Sequence, residues 1–324
     1  MDYSKHKIYQ APLQGFTDYT FRKVISEVFG GIDKYFIPYL SYGKGRAIKK
    51  SSIKEVFPEN NVALPVVPQV LFADVHELLY LVAILVEYGY KEINLNLGCP
   101  YPMATNKGRG AAWLEKPEAL SETLQQLFAQ GSQTKFSVKM RAGLTSDQDF
   151  RAIFDVLNQF PLSEVIFHPR TASQMYSGKA DPKLFAEAIS QVKHPLVYNG
   201  DLFMEADFQE LKIILPEQSS WMIGRGLLID PSLPLRLKGK NWEAKELRKK
   251  MKEFHDRLLE AYSARLEGSG HLLTKMNQFW SYFSESFENP HKTMKLVKKS
   301  GSLLKYNAAV VEIFRNQQTE GLTN

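Results

Sequence analysis

Residues able to carry acid–base chemistry stand at the ends of short apolar runs in this sequence. Cys99 follows one run, and Ser137, Lys139 and Arg141 alternate with apolar residues in another. A thiol can donate a proton, and two cations on one face need an anionic ligand or an internal carboxylate once they are buried. The sequence therefore indicates proton transfer beside a buried positive charge.

Polar residues or glycines also follow the other apolar runs. They are Pro12, Gln14, Gln69, Asn94, Asn96, His168, Arg170, Asn199, Gly200, Asp201, Gly224 and Arg225. Alternation with period two places Asn94 and Asn96 on one face of their run and the leucines on the other. A glycine after each of the last two runs is typical of a phosphate site, to which Arg225 could add a charge-assisted contact.

Eight apolar runs and the helical segments between them would position these residues. The runs cover residues 7–13, 34–40, 64–71, 92–97, 135–141, 164–170, 194–199 and 219–224, and amphipathic stretches cover 18–29, 75–88, 117–130, 147–158, 182–191 and 204–214. Such alternation implies parallel strands with crossover helices, and eight units favour a (β/α)8 TIM barrel. The strand ends of a barrel meet at one face, where the polar residues should converge.

The pattern changes to helices alone after Leu237. A core-facing stripe runs through 244–267, and further helices are predicted over 272–287, from Pro290 behind the N-cap Asn289, and over 303–317. A short helix is also expected to begin at Pro231. We predict a barrel domain over residues 1–237 and a small all-α helical bundle domain over residues 238–324.

Composition and charge narrow the class of protein. The chain has 324 residues, 44% of them hydrophobic, and a single cysteine, which excludes an internal disulfide. No apolar run is long enough for a signal peptide or a membrane span, so we expect no membrane contact and a cytoplasmic location. Residues 1–237 hold 25 basic and 25 acidic residues, whereas residues 238–324 hold 16 and 10. The excess suggests a polyanionic partner, although charge alone fits a solvated helical surface better.

Each candidate residue also has a purely structural interpretation. Lys139 could pair with an acidic neighbour, His168 could be a structural histidine, and Cys99 could be a small buried hydrophobe. Eight separate segments nevertheless deliver polar residues to the same end of one predicted barrel. Polar strand ends that arose by chance would be scattered, so the common position favours a functional interpretation.

Several short motifs stand in a fixed order along nearly the whole chain. They are Ala-Pro-Leu-Gln-Gly-Phe-Thr-Asp at 11–18, Gln69, Asn-Leu-Gly-Cys-Pro at 96–100, Arg-Gly-Ala-Ala at 109–112, Ser-Val-Lys-Met-Arg at 137–141, His-Pro-Arg at 168–170, Asn-Gly-Asp at 199–201 and Gly-Arg-Gly at 224–226. In this order they resemble the tRNA dihydrouridine synthases, flavin-dependent barrels with a C-terminal helical domain. Segments 33–50 and 171–181 depart from one bacterial subgroup, which leaves the modified tRNA position open.

The resemblance implies FMN across the barrel mouth, with NADPH as its reductant. The implied cofactor-binding residues are Pro12, Gln14, Gln69, Asn96, Lys139 and His168 near the flavin, and Asn199, Gly200, Asp201, Gly224 and Arg225 around its phosphate. Cys99 would protonate C5 of a tRNA uridine after hydride transfer to C6. A thiol with an ordinary pKa near 8.5 is largely protonated at pH 7 and could do so.

The resemblance also implies a tRNA partner and a flipped uridine, because a stacked base cannot reach a flavin inside a barrel. The predicted RNA-contacting residues are Tyr39, Tyr42, Tyr101, Tyr176, Arg141 and Arg170 near the mouth, and Arg248, Lys249, Lys250, Lys295, Lys298 and Lys299 in the helical domain. No metal and no obligate protein partner are expected, and the protein could be monomeric.

Three other functions fit part of the sequence. An FMN barrel acting on a small metabolite, as dihydroorotate dehydrogenases do, leaves the basic tail without a role. A class I aldolase with Lys139 as Schiff-base nucleophile predicts a colourless protein. A non-catalytic tRNA-binding protein would have no need of an inward thiol and cation.

Overall fold

A closed barrel of eight parallel strands forms the first part of the chain in the computed structural model, which describes residues 5–43 and 48–316. The strands are β1 (Lys7–Gln10), β2 (Lys34–Ser41), β3 (Val66–Leu71), β4 (Glu92–Leu97), β5 (Lys135–Gly143), β6 (Val165–Thr171), β7 (Leu196–Tyr198) and β8 (Ser220–Ile223). They follow one another in chain order, and β8 pairs with β1. The predicted barrel is therefore confirmed.

Helices connect the strands and surround the barrel. They are α1 (Tyr19–Val28), α2 (Lys50–Ile53), α3 (Val75–Glu87), α4 (Pro102–Thr105), α5 (Pro117–Phe128), α6 (Phe150–Leu157), α7 (Pro182–Ile189), α8 (Glu205–Ile214), α9 (Arg225–Ile229) and α10 (Leu233–Leu237). Asp18, Asp74 and Asp181 begin α1, α3 and α7, where each carboxylate accepts a hydrogen bond from a backbone N–H of the first turn. Such caps stabilise a helix by about 1 kcal/mol.

The two faces of the strands are sorted as their alternation predicts. Leu95 and Leu97 of β4 belong to the main core beneath the helices, as do Phe136 and Val138 of β5. A second apolar cluster fills the barrel interior, and it consists of Tyr9, Ala11, Phe36, Val67, Ile166, Val197 and Met222. The interior-facing positions nearer the strand ends are polar, which leaves them free to build a site.

The start of the helix after β8 differs from its prediction. We expected a helix from Pro231, but α9 already begins at Arg225 and α10 follows from Leu233. Gly226 makes this early start possible, because a Cβ there would lie 2.2 Å from the carbonyl oxygen of Leu202. The chain therefore turns from strand to helix directly at the Gly224–Gly226 motif.

Four further helices follow the barrel. They are α11 (Ala244–Arg265), α12 (Ser269–Phe283), α13 (Pro290–Lys298) and α14 (Leu303–Asn316), and Asn289 caps α13 as predicted. The predicted stripe of α11 is buried, and its Phe254 contacts Phe21 and Phe29 of the first barrel crossover, with ring centroids 5.9 Å apart in both pairs. One apolar cluster thus runs through both regions, and a domain boundary at residue 237 stays a prediction.

A polar network at Asp18 accompanies this apolar contact. The Asp18 carboxylate accepts a hydrogen bond from the hydroxyl of Tyr262 at 2.9 Å and lies 3.1 Å from both Arg265 and Lys275. Lys275 also donates to the carbonyl oxygen of Gly15 at 2.8 Å. The helical region is therefore fixed to the loop that follows β1. Within the described residues, no helix is long and apolar enough to cross a membrane.

Candidate active site

One pocket at the carboxyl ends of the strands brings the predicted barrel residues together. It is lined by Pro12, Gln14, Gln69, Asn96, Cys99, Tyr101, Lys139, Arg141, His168, Arg170, Asn199, Gly200, Asp201, Gly224 and Arg225. Tyr39 and Tyr176 also line it, whereas Tyr42 lies outside with its ring 4.9 Å from that of Tyr80. The barrel geometry is the cause, since parallel strands end at one face.

A chain of side-chain amides crosses the barrel beneath the pocket. Asn94 donates to the Ser137 hydroxyl at 2.9 Å, Gln69 donates to Asn94 at 2.7 Å, and Asn96 donates to Gln69 at 2.7 Å. The oxygen of Asn96 accepts from the backbone N–H groups of Gly98 and Cys99 at 3.0 and 2.8 Å. Asn96 therefore orients the loop that carries Cys99, and its predicted contact with the cofactor stays a prediction.

The Cys99 loop is also packed tightly from its other side. Ala111 donates its backbone N–H to the carbonyl oxygen of Cys99 at 3.1 Å. Gly110 has a positive φ of 60°, and a Cβ there would lie 2.7 Å from the Cβ of Cys99. Burial is the largest influence on the thiol and raises its pKa, so Cys99 stays protonated at neutral pH. The structure thus holds a neutral thiol at the pocket.

Lys139 and Arg141 of β5 bring positive charge to the same pocket. No hydrogen bond or ion pair joins Lys139 to another of the described residues, so the acidic neighbour considered above is not found there. The side chain is partly exposed in the pocket, and burial followed by the charge of Arg141 lowers the pKa of Lys139 to about 7. Such a group is stabilised by an acceptor or an anion that enters the pocket.

His168 of β6 is buried beside these cations and is neutral. Burial, followed by the charges of Arg141 and Lys139, lowers its pKa well below the ordinary value. The nearest polar contact is 3.4 Å, from Nη1 of Arg170 to Nε2 of His168. An arginine can only donate, so Nε2 accepts and the hydrogen sits on Nδ1. His168 can therefore offer one N–H donor to a bound group.

Asp201 organises the arginines on the far side of the pocket. It accepts two hydrogen bonds from Arg170, at 2.9 and 2.6 Å, and one from Arg225 at 3.1 Å. This carboxylate is occupied by two guanidinium groups, and its predicted place beside a phosphate stays a prediction. Arg170 is buried and also donates to the carbonyl oxygen of Gly178. Its predicted contact with the RNA stays a prediction as well.

The loop between β6 and α7 is held over the pocket by Arg141. This guanidinium donates to the carbonyl oxygens of Thr171 and Met175, both at 2.8 Å, and only 3% of the residue is exposed. Arg141 therefore anchors this loop while it lines the pocket, and its predicted contact with the RNA stays a prediction. Arg225 lies between two rings of this region, 4.4 Å from the centroid of Tyr176 and 5.1 Å from that of Phe203.

Some pocket residues were not foreseen from the sequence, among them Phe203 and Tyr282. Tyr282 belongs to α12, and its ring meets that of Phe16 edge-on at a centroid distance of 5.2 Å. Phe203 comes from the loop after β7. Tyr282 lies in the helical region, which was predicted to bind RNA phosphates, so no pattern linked it to the barrel mouth. The helical region therefore contributes directly to the pocket wall.

The basic residues predicted to bind RNA in the helical region fall into two groups. Lys295, Lys298 and Lys299 are exposed on or directly after α13, and none of them forms an ion pair with a described residue. Lys250 instead lies 3.0 Å from Glu253, one turn away on α11. Lys249 is exposed and Arg248 is partly buried. The free positive surface therefore centres on α13.

The chain belongs to the dihydrouridine synthase family. It matches the profile of that family, Dihydrouridine synthase (Dus), over residues 9–318. It is 26% identical to tRNA-dihydrouridine synthase B of Pasteurella multocida (strain Pm70), over 71% of this chain and 68% of that protein. It is also 26% identical to tRNA-dihydrouridine(16) synthase of Cupriavidus necator, over 72% of this chain and 74% of that protein. The family expected from the motifs is therefore confirmed.

Solved structures support the fold. Histamine dehydrogenase from Rhizobium sp. 4-9 superposes with a TM-score of 0.53 and 11% identity, over 78% of this chain and 49% of that one. A 2-naphthoyl-CoA reductase superposes with a TM-score of 0.55 and 9% identity, over 71% and 49%. The chain spans about half the length of each. At such low identity the likeness concerns the barrel alone.

Proposed function

We propose that this protein reduces the C5–C6 double bond of a uridine in tRNA, using FMN reduced by NADPH and a proton from Cys99. The observation that carries the proposal is the meeting, in one barrel pocket, of a neutral thiol with a lysine that has no partner among the described residues. The chain that holds this pocket belongs to the dihydrouridine synthase family. The substrate is inferred from the names of the relatives, and the chemistry is inferred from the side chains of the pocket.

The residues of the pocket fit a flavin mononucleotide. Lys139 lacks a partner among the described residues, and His168 offers an N–H donor; both would hold the acceptor atoms of the ring system. Gly200, Gly224 and Arg225 would hold its phosphate, with Arg225 fixed for that task by Asp201. When bound, reduced FMN supplies a hydride to C6 of the uracil.

Cys99 completes the reduction by moving one proton. Hydride addition at C6 leaves the electron pair of the former double bond at C5, conjugated with the C4 carbonyl. The thiol proton of Cys99 then forms the new C5–H bond, and its electron pair stays on sulfur. A protonated thiol is needed for this step, which the raised pKa of Cys99 provides. Lys139 would stabilise the charge that develops on the uracil.

Binding of the RNA would involve both regions of the protein. Tyr101 and Tyr176 are part exposed at the pocket mouth and would stack on the unstacked uridine or its neighbours. Lys295, Lys298 and Lys299 would contact phosphates, because exposed unpaired lysines can release counterions from the RNA backbone. A tRNA substrate and a lone thiol both fit a cytoplasmic location.

One observation favours a second candidate, a Schiff-base lysine. An amine with a pKa of about 7 is about half unprotonated at neutral pH and in that form is nucleophilic, as Lys139 would be. Borohydride trapping with a carbonyl substrate tests this role. The aldolase interpretation predicts trapping and no flavin, whereas the proposed function predicts a yellow protein and no trapped adduct.

The proposed function is tested by reconstitution. The purified protein should take up FMN with the absorbance of a bound flavin, and with NADPH and unmodified tRNA it should form dihydrouridine, detected by mass spectrometry of the RNA. A protein that binds no flavin would exclude the mechanism. A flavoprotein that reduces a small metabolite and leaves tRNA unchanged would exclude the substrate.

The Cys99→Ala variant tests the proton donor. We expect dihydrouridine formation to fall by about 10² to 10⁴, the usual contribution of a positioned general acid. FMN binding and flavin reduction by NADPH should remain, because neither step uses the thiol. Single-turnover rates of product formation and of flavin reduction measure the two steps separately. Unchanged product formation would remove Cys99 from this role.

A further inference from the structure

A bulge in β2 turns Tyr39 toward the pocket. Phe36 faces the barrel interior, so strict alternation along the strand would point Tyr39 outward. The register between β2 and β3 shifts between Ile37 and Leu40, which inserts a residue. As a result Leu40 packs in the outer core, while Tyr39 lines the pocket. Bulges re-aim side chains in this way beside active sites.

The side chain that the bulge re-aims meets the proposed proton donor. Tyr39 packs against a small apolar cluster of Leu71, Cys99 and Ala104, which is separate from the main core. Its hydroxyl lies beside the Cys99 thiol, near enough to interact with it electrostatically. Tyr39 is partly exposed in the pocket, and stacking of its ring on an RNA base stays a prediction.

Other groups face the thiol from each neighbouring element. The backbone N–H of Tyr101, in the loop after β4, lies near the sulfur, and Lys139 and Arg141 approach from β5. Arg109, from the segment after α4, lies near the Tyr39 hydroxyl. Tyr101, Lys139, Arg141 and Tyr39 favour negative charge on sulfur, and burial opposes it. Among them, the Tyr39 side chain brings an uncharged O–H donor to the thiol.

We propose that Tyr39 is a positioning residue for the proton donor, stabilising the Cys99 thiolate that remains after the proton has moved to C5. In that step the S–H bond breaks, the C–H bond forms, and the sulfur keeps the electron pair. The Tyr39 hydroxyl donates a hydrogen bond to this sulfur until a proton from solvent restores the thiol. The inference rests on the proposed function and deepens it.

The acidity of Tyr39 suits this role. Burial, followed by the proximity of Cys99, raises the pKa of Tyr39 to about 12, so its hydroxyl keeps its proton at neutral pH. The hydroxyl therefore acts as a hydrogen-bond donor and does not itself release the proton. Burial still keeps Cys99 protonated at rest, while the hydrogen bond lowers the cost of the thiolate during turnover.

The test uses the fact that Cys99 is the only cysteine of the chain. The rate of alkylation by iodoacetamide, followed against pH in the flavin-loaded protein, therefore reports the pKa of this thiol alone. Tyr39→Phe keeps the ring and removes the hydroxyl. We expect the midpoint to rise by about one pH unit, the size of one lost hydrogen bond to a charged group. Dihydrouridine formation should fall about tenfold with an unchanged rate of flavin reduction.

Tyr80→Phe is the matched control, because Tyr80 lies on α3 with its ring against that of Tyr42 and outside the pocket. It should change neither the thiol midpoint nor product formation. An unchanged midpoint in Tyr39→Phe would overturn the proposal whatever happens to tRNA. A raised KM for tRNA with the same midpoint would likewise overturn it in favour of base stacking. If the unaltered protein formed no dihydrouridine, the proposed function would be wrong, even if Tyr39→Phe shifted the midpoint of Cys99 alkylation.

Discussion

The cations of the barrel pocket and those of the helical region differ in burial and in partners. Residues 1–237 carry equal numbers of acidic and basic residues, yet the pocket is lined by four Lys or Arg side chains and one Asp. The helical region carries the excess positive charge of the chain, but Lys250, Lys252 and Arg265 are among its cations that pair with carboxylates. Net charge per segment therefore does not locate the strongest positive field.

The pocket cations and the surface cations differ in their effect because they differ in how much water surrounds them. The pocket arginines have lost water and are fixed by carbonyl oxygens or by Asp201, so their charges act strongly over short distances. A charge on α13 is hydrated, mobile and screened over about 10 Å at physiological salt. We infer that pocket cations set the chemistry and its geometry, whereas surface cations set the affinity for a polyanion and its salt dependence.

Of the changes that test this comparison, Asp201→Ala should have the largest effect, which is a loss of stability. It leaves Arg170 buried without its carboxylate, and breaking a buried pair in this way costs about 3 to 5 kcal/mol. Urea unfolding measures the loss. The matched control is Glu187→Ala, which breaks an exposed pair with Arg151 and should cost less than about 1 kcal/mol. Equal losses would mean that burial does not distinguish the two kinds of cation.

Lys139→Met should change how stability depends on pH. The pKa of Lys139 is about 7 in the folded protein and has an ordinary value of 10.5. Between these values the unfolded chain binds the extra proton, so the free energy of unfolding rises with pH, by at most about 1.4 kcal/mol per unit. In the variant, the free energy of unfolding should not show this rise between about pH 7.5 and pH 9. At pH 7.5 the variant should therefore be more stable than the unaltered protein.

The slope of Lys139→Met is best measured on flavin-free protein, by urea unfolding at several pH values. Lys249→Met provides the control, because Lys249 is an exposed cation of α11. It should keep the slope of the unaltered protein. If the two variants gave the same slope, the amine of Lys139 would be hydrated like a surface lysine and the comparison would fail.

Replacing Lys295, Lys298 and Lys299 by Ala should have the smallest effect, on RNA binding alone. The logarithm of the tRNA dissociation constant varies with the logarithm of salt concentration, and the slope should fall by roughly 0.7 to 0.9 for each phosphate that a lysine no longer neutralises. Flavin binding should be unaffected. The control replaces Lys250 and Lys252, which pair with Glu253 and Asp256. An equal fall of the slope in the control would show that Lys250 and Lys252 contact the RNA in spite of their ion pairs on α11.

The sequence predicts the barrel well because its signal is local and repeated. Strand alternation placed Asn94, Lys139 and His168 inside, and all three lie there. The β2 bulge escaped this reasoning, because a one-residue register shift leaves no trace in the apolar pattern. Tyr282 escaped it as well, since its place in the pocket depends on how α12 packs against the loop after β1.

The partners of buried side chains are equally hard to read from sequence. Arg141 and Arg170 stand at positions that suggest ligand contacts, and both line the pocket. Several of their N–H groups nevertheless donate to the β6–α7 loop and to Asp201. Two residues distant along the chain must approach before such a bond exists, so alternation can orient a side chain without identifying what it binds.

The attachment of α11 to α1 bears on how this protein can be engineered. A chain cut after Leu237 would remove Phe254 from the rings of Phe21 and Phe29, and would take Arg265 and Lys275 away from the carboxylate of Asp18. The newly exposed apolar surface would favour aggregation. The helical region is therefore unsuited to exchange as a detachable module, and a chimaera with altered RNA specificity should carry α1 together with α11 and α12.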